Sequence, residues 1–214
     1  ASGIPDSRSA TGLYNQRNDS DYSPEYMLSY PYFRDHPAEF YDYLRHNLLY
    51  PDAKPNGAHS ALAKLERDGK IRAVITQNID GLHQQAGSKK VIEIHGNLND
   101  YYCLKCGIDY DLANMLKKPG VPKCVCGGTI RPDVVLYEEP LDQHKMMQSV
   151  QAVRSADVMI VGGTSLVVYP AAGLVEYYRG KKLILINRDE TAYDRMANVV
   201  IHDDISQVMP RLAE

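Results

Sequence analysis

Tryptophan is absent from this 214-residue chain, phenylalanine occurs only twice and cysteine four times. Four thiols could close at most two disulfides, a thin staple for a chain that is not especially small, and no apolar signal segment opens it. No apolar run approaches the roughly 18 residues that a membrane helix needs. Net charge is scarce too: 24 basic and 27 acidic side chains leave −3. That balance gives no general attraction to nucleic acid or anionic lipid. The expectation is a soluble, cytoplasmic protein, without direct nucleic-acid or membrane binding. At 44% hydrophobic content it should bury a real core, as one large domain or one domain carrying a small module. Tyrosine is plentiful at 16 residues. Many fall within residues 14–50, where loop packing is the plainer reading and a groove lining the alternative.

The cysteines are grouped. Cys103-x-x-Cys106 and Cys124-x-Cys126 are separated by residues 107–123, and His95 lies just upstream in Glu93-Ile94-His95-Gly96-Asn97. Each pair is close enough for both thiolates to reach one tetrahedral ion, so a structural zinc is expected, with two disulfides in any of three connectivities as the alternative. Gly107, Gly127 and Gly128 follow the pairs, where a backbone folding around a metal needs unusual dihedrals. Four sulfur ligands leave such an ion no open position for water or substrate.

Residues 1–34 lack sustained periodicity and read as loop with one short helix. Pro37 suits a first helical turn, and Phe40, Tyr41, Leu44 and Leu48 recur at helical spacing until Pro51. Asn56 can cap a second helix through Ala58, Leu62 and Leu65, stopped by Gly69. Short β-branched runs predict strands over 71–75, 90–94, 157–161, 182–186 and 198–201. Helical patterns occupy 142–155 and 170–178. Strands alternating with helices imply an α/β fold with a parallel, doubly wound sheet.

In such sheets ligands lie beyond the carboxyl ends of the strands. The residues there are polar: Thr76-Gln77-Asn78-Ile79-Asp80, His95-Gly96-Asn97, Gly162-Gly163-Thr164-Ser165 and Asn187-Arg188-Asp189. The Gly162 turn lets backbone amides approach a phosphate, although it matches neither GxGxxG nor GxxxxGK[ST] and a plain strand-to-helix turn looks similar. Asn187 sits where a sheet presents a polar group to a ribose, a position that turn chemistry alone also favours. His95 is the best general-base candidate, because an imidazole titrates near neutrality. His36, His46, His59, His83, His144 and His202 show no ligand-type spacing and read as structural or surface residues.

Taken in order, Gly3-Ile4-Pro5-Asp6, Gln77-Asn78-Ile79-Asp80, Ile94-His95-Gly96-Asn97, the cysteine pairs, Ile130-Arg131-Pro132-Asp133-Val134-Val135, Gly163-Thr164-Ser165-Leu166 and Val168-Tyr169-Pro170-Ala171-Ala172 resemble the sirtuin family across nearly the whole chain. The resemblance implies an NAD-dependent protein-lysine deacylase. Its Rossmann-like domain would comprise residues 1–9, 57–96 and 133–214, with a smaller lobe made of a helical segment (10–56) and a zinc module (97–132). The family reaction passes the acyl group of an acetylated lysine to the nicotinamide ribose, yielding free lysine, nicotinamide and O-acyl-ADP-ribose, with the histidine, here His95, helping to deprotonate a ribose hydroxyl.

Carried over by motif, the resemblance gives Asp6, Ser7, Arg8, Gln77, Asn78, Ile79, Asp80 and His95 to the ribose and nicotinamide pocket. Gly162, Thr164 and Ser165 go to the phosphates, Asn187 to the adenosine ribose, and Asp204 or Ile205 to the adenine edge. Val134, Val135, Leu136 and Tyr137, continuing to Glu138, face Val168 and Tyr169 as two segments that clamp an acetyl-lysine peptide as an added strand, a mode that reads backbone more than side chains. The metal would be one zinc ion on Cys103, Cys106, Cys124 and Cys126, and the protein a monomer.

Three departures from the family pattern stand out. The strand and Gly-Ala-Gly-Ile-Ser loop with which the family begins do not lie within Ala1-Ser2-Gly3, so part of the pyrophosphate cradle is expected upstream of Ala1. Ser7 replaces a phenylalanine that covers the reactive sugar, which predicts slower turnover or more hydrolysis. Tyr137-Glu138-Glu139 replaces Phe-Gly-Glu, which bears on peptide grip. The stretch Tyr41-Asp42-Tyr43-Leu44-Arg45 puts Leu44 where succinyl-preferring relatives carry arginine, so neutral acyl groups are expected. A protein mono-ADP-ribosyltransferase, or a catalytically impaired protein that binds acyl-lysine or nucleotide, is the alternative.

Overall fold

A computed structural model of the protein describes residues 2–5 and 22–214. Two short helices open it, α1 (Pro24–Met27) and α2 (Tyr30–Asp35). Each begins on a serine, Ser23 or Ser29, whose hydroxyl accepts the Tyr26 or Tyr32 N–H, with proline in the first turn. The expectation of loop with one short helix is therefore corrected to two: each is capped locally and buries apolar residues, Met27 in the first and Tyr32 and Phe33 in the second. Helix α3 (Pro37–Asn47) follows and buries Phe40, Tyr41, Tyr43 and Leu44. Those side chains share one core with Met27, Tyr32 and Phe33 and with Leu98, Tyr101, Cys103, Cys124 and Ile130 of the cysteine module. The Tyr41 hydroxyl donates to the Ile130 carbonyl, and Arg45 Nη2 donates to the carbonyls of Lys118 (3.0 Å) and Gly120 (2.5 Å). Tyr41 thus joins helix to module, whereas Tyr22, Tyr26 and Tyr30 stay exposed.

Asn56 caps α4 (Gly57–Arg67) in a capping box, with His59 in the place usually held by glutamate: its Nδ1 accepts the Asn56 N–H at 3.1 Å. Helix α4 lies against α8 (Ile205–Leu212) through Ala58, Ala61, Leu65, Val208, Met209 and Ala213. The approach is close enough that a Cβ on Gly57 would stand 2.5 Å from the Ser206 carbonyl oxygen. Between these lie α5 (Leu82–Gln85), α6 (Leu112–Leu116) and α7 (Gln143–Ser155), the last capped by Asp142.

Among the described residues the strands form three sheets. β1 (Val74–Thr76) pairs in parallel with β2 (Val91–Glu93). β6 (Val158–Gly162), β7 (Lys182–Ile186) and β8 (Val199–Ile201) form a parallel trio. In the cysteine module, β3 (Gly96–Cys103) runs antiparallel to β4 (Asp109–Asp111) on one side and β5 (Ile130–Val134) on the other. The fold is α/β, as expected. Two details differ: among the described residues the parallel strands make two sheets rather than one, and residues 170–178 form a 3-10 turn, Ala171–Tyr177. Strand runs are a local signal, whereas hydrogen-bonded neighbours are set by distant residues. The helical pattern over 170–178 reports the buried Ala171, Ala172, Leu174 and Val175, which a tighter helix buries as well.

Candidate functional site

In the cysteine module all four sulfurs lie within 4.8 Å of one another. Cys103 to Cys126 and Cys106 to Cys124 are 3.5 Å apart, far beyond a disulfide bond of about 2.05 Å. Four sulfurs at about 2.3 Å from one tetrahedral ion would stand about 3.8 Å apart. The soft thiolate donor set and its spacing therefore fit one zinc ion, with no position left for substrate. The fit depends on Gly128, where a Cβ would come within 2.7 Å of Cys103 Sγ and 2.6 Å of Lys105 Cβ. The Lys105 N–H (3.4 Å) and the Tyr110 hydroxyl (3.0 Å) donate to Cys103 and Cys124 sulfurs.

The second cluster forms where β1 and β2 end together at Thr76 and Glu93. Thr76 Oγ1 accepts the Asn78 N–H (3.0 Å), and the Leu98 N–H donates to the Ile79 carbonyl (2.8 Å), which anchors the loop to β3. Asp80 Oδ1 accepts the Leu82 N–H at 2.9 Å and so starts α5. His95 is half-buried, and its Nδ1 lies 3.0 Å from the Gln77 carbonyl oxygen. A carbonyl can only accept, so Nδ1 carries the proton and Nε2 of the neutral ring holds the basic lone pair. The His95 carbonyl in turn accepts the Val135 N–H (2.9 Å), tying the histidine to the segment after β5. This crossing requires Gly96: its φ is +76°, and a Cβ would fall 1.9 Å from the Asp133 carbonyl oxygen.

A third cluster lies at the matching ends of β6, β7 and β8. Gly162 pairs with Ile186, and Ile186 with Ile201. Gly163 turns at φ +62° and donates to the Ile186 carbonyl, leaving this tip without side chains. Thr164 Oγ1 accepts the Leu166 N–H (3.2 Å), which leaves its hydrogen free to donate; Ser165 is exposed. Such a tip suits a phosphate. The Asn187 side chain donates to the Asp189 carbonyl (2.8 Å), and the Asn187 carbonyl lies 3.1 Å from His202 Nδ1. Asp204 caps α8 through the Ser206 N–H (2.8 Å) and pairs with Arg188; Ser206 first, then Arg188, holds its carboxyl down to about 2. Ile205 packs on this tip, where a Cβ on Gly162 would lie 2.2 Å from its Cδ1.

Gln77, Asn78, Ile79, Asp80 and His95 thus gather at one sheet end, and Gly162, Thr164, Ser165, Asn187, Asp204 and Ile205 at the other. Asp6, Ser7 and Arg8 lie outside the described residues. Sequence reasoning missed the Arg131–Glu139 ion pair (2.7 Å), with side chains 5% and 21% exposed, which organises the segment holding Val134, Val135, Leu136 and Tyr137. The two residues stand eight apart across a turn, a spacing that carries no motif. It also missed the contact between the tilted rings of His59 and His83, whose centroids are 4.7 Å apart.

Polar strand ends around a histidine held by a backbone carbonyl, beside a four-thiolate module that fits one structural metal ion, suit an enzyme of nucleotide-dependent group transfer. The Sir2 family description matches residues 1–170. An NAD-dependent protein deacetylase of Clostridium acetobutylicum is 53% identical over 210 residues, covering 97% of this chain and 86% of the relative. One of Clostridium tetani is 54% identical, covering 100% and 87%. A solved Sir2 variant holding a deacetylated p53 peptide and 3′-O-acetyl ADP ribose superposes with TM-score 0.87 at 42% identity, covering 99% of this chain and 86% of that one. A Sir2 bound to acetylated peptide gives 0.81 at 43% identity, covering 87% and 81%. This chain belongs to the Sir2 family, which accounts for the order of its motifs.

Proposed function

We infer that this protein is an NAD-dependent protein-lysine deacetylase that transfers the acetyl group to ADP-ribose and releases nicotinamide. The observation that carries this is His95, fixed through Nδ1 on the Gln77 carbonyl with Nε2 left as the base, at the end of a sheet in a Sir2 chain. When bound, NAD supplies an electrophilic sugar carbon from which nicotinamide departs. Nε2 of His95 takes the proton of a ribose hydroxyl, and the Gln77 carbonyl keeps the tautomer that makes this possible. Asp80, which orders its own loop, and Asn78 orient the polar ligand. Thr164 and Ser165 donate to phosphate, while Asn187 and the 204–205 segment serve the adenosine end. A zinc ion held by Cys103, Cys106, Cys124 and Cys126 would brace the module whose core packs against α3, with no open position for the chemistry.

The substrate is an acetylated lysine in a protein or peptide, as in solved relatives bound to acetylated peptide. Leu44 and Tyr41 are buried among Phe33, Phe40 and Ile130, and the guanidinium of Arg131 is already matched by Glu139. Among the described residues, neither the Leu44 position nor Arg131 thereby offers a free cation to a succinyl carboxylate, which supports a preference for neutral acyl groups. We carry forward the domain boundaries given above and the reading of a cytoplasmic monomer; among the described residues no helix is long and apolar enough to cross a membrane.

The test is to incubate the protein with NAD and an acetylated peptide and to follow the products. Free nicotinamide together with acetyl-ADP-ribose is expected. An ADP-ribosylated acceptor with acetyl-lysine intact would instead make it an ADP-ribosyltransferase, and binding without nicotinamide release would make it a reader.

A further inference from the structure

The turn after β5 carries two neighbouring carboxylates, and the fold consumes only one. Arg131 Nη1 and Nη2 donate to Glu139 Oε1 and Oε2 at 2.7 and 2.8 Å, a bidentate fork. The same Nη2 donates to the Val134 carbonyl (2.8 Å), and Glu139 Oε2 also accepts the Leu136 N–H (2.9 Å). The Glu139 N–H donates to the Leu136 carbonyl, while Tyr137 donates to the Leu28 carbonyl and accepts from the Tyr30 N–H. Both neighbours of position 138 are therefore bonded in place. Between them Glu138 is exposed at φ +71°, a region that glycine enters freely and side-chain-bearing residues avoid. Glu138 makes no ion pair or side-chain hydrogen bond among the described residues, and Glu139 is neutralised by Arg131. The segment read as the other side of the clamp, Leu166 to Pro170, carries no charge, and the exposed Asp133 adds to the same sign.

We propose that Glu138 is a specificity-determining residue that selects acetyl-lysine substrates bearing lysine or arginine next to the acetylated position. This rests on the reading of the 134–138 segment as one side of the peptide clamp, since the bond from Val135 to the His95 carbonyl puts that segment beside the base. The backbone at position 138 is already held on both sides, so pairing with a substrate cation orders only the glutamate side chain. Because the site is wet, the gain is that of an exposed ion pair, about two- to fivefold in kcat/KM, and salt should screen it.

The experiment compares two acetylated peptides differing only in arginine or glutamate beside the acetyl-lysine, with the kcat/KM ratio measured within each protein. The expected ratio is about two- to fivefold in favour of arginine at low salt, falling toward unity near 0.5 M salt. Glu138→Gln should bring the low-salt ratio to unity. Glu138→Gly should do the same without lowering the melting temperature, which excludes a folding defect as the cause. An unchanged ratio in Glu138→Gln, or no salt-sensitive preference in the unaltered protein, would overturn the proposal while leaving deacetylation intact. Failure to deacetylate either peptide would overturn the proposed function as well.

Discussion

Acid should destabilise this protein through His83, and the effect can be sized. His83 sits on α5, directly after the Gln77 to Asp80 loop, and its Nδ1 is buried without a partner among the described residues. Burial, and after it the nearby His59, pushes its pKa from 6.5 down to about 4, with Asp80 pulling weakly the other way. Above pH 6.5 the ring is neutral in folded and unfolded chains, so nothing is lost. As pH falls from 6.5 toward 4, the unfolded chain binds a proton that the folded one resists, and stability drops across that window. A shift of that size corresponds to about 3 kcal/mol at about 1.36 kcal/mol per pH unit; partial access of water to the ring brings it to about 2 kcal/mol. For a chain of this length that is a melting-temperature difference of about 4–8 °C. The assay is thermal or urea unfolding at pH 7, 6, 5 and 4.5 for the unaltered protein and His83→Gln. The variant should lose less stability on acidification by that amount; parallel pH curves would refute the reasoning.

The metal makes a larger claim. Zinc binding to structural thiolate sites is worth about 10–16 kcal/mol, as large as the whole stability of an ordinary domain, about 5–15 kcal/mol. Chelation, or Cys124→Ser, should remove one zinc per chain by metal analysis and collapse the near-UV tyrosine signal of the core shared with α3; an unchanged melting temperature after metal loss would contradict this. Tyr41→Phe removes the hydroxyl from the Ile130 carbonyl and should cost about 1–2 kcal/mol by urea unfolding, with zinc content unchanged. A loss below about 0.3 kcal/mol would show that water replaces the bond.

The most legible parts of this molecule are those written locally. Asn56 and Pro37 announce their helices because a cap and a first-turn proline each act within one turn, and Cys103, Cys106, Cys124 and Cys126 announce a metal because a tetrahedron is small. Placing His95 and Asn187 at strand ends needed only strand lengths. Sheet pairing was less legible, since nothing in Val74 to Thr76 or Val158 to Gly162 says which strand lies alongside. The requirement for Gly96 stayed hidden because it comes from the Asp133 carbonyl across the β3–β5 crossing. The Arg131–Glu139 fork and the His59–His83 contact stayed hidden for the same reason: each joins residues without a shared periodicity. The glutamate at position 138 was visible as a departure from the family pattern, but its left-handed backbone was not.

The central claim is that Nε2 of His95, held by the Gln77 carbonyl, is the base of a deacetylation dependent on NAD. Steady-state deacetylation of an acetylated peptide by His95→Ala, with NAD affinity and melting temperature measured alongside, tests it most directly. The rate should fall about 10²- to 10⁴-fold while NAD still binds and the fold persists. A variant that binds NAD, stays folded and keeps more than about a tenth of the activity would contradict the account.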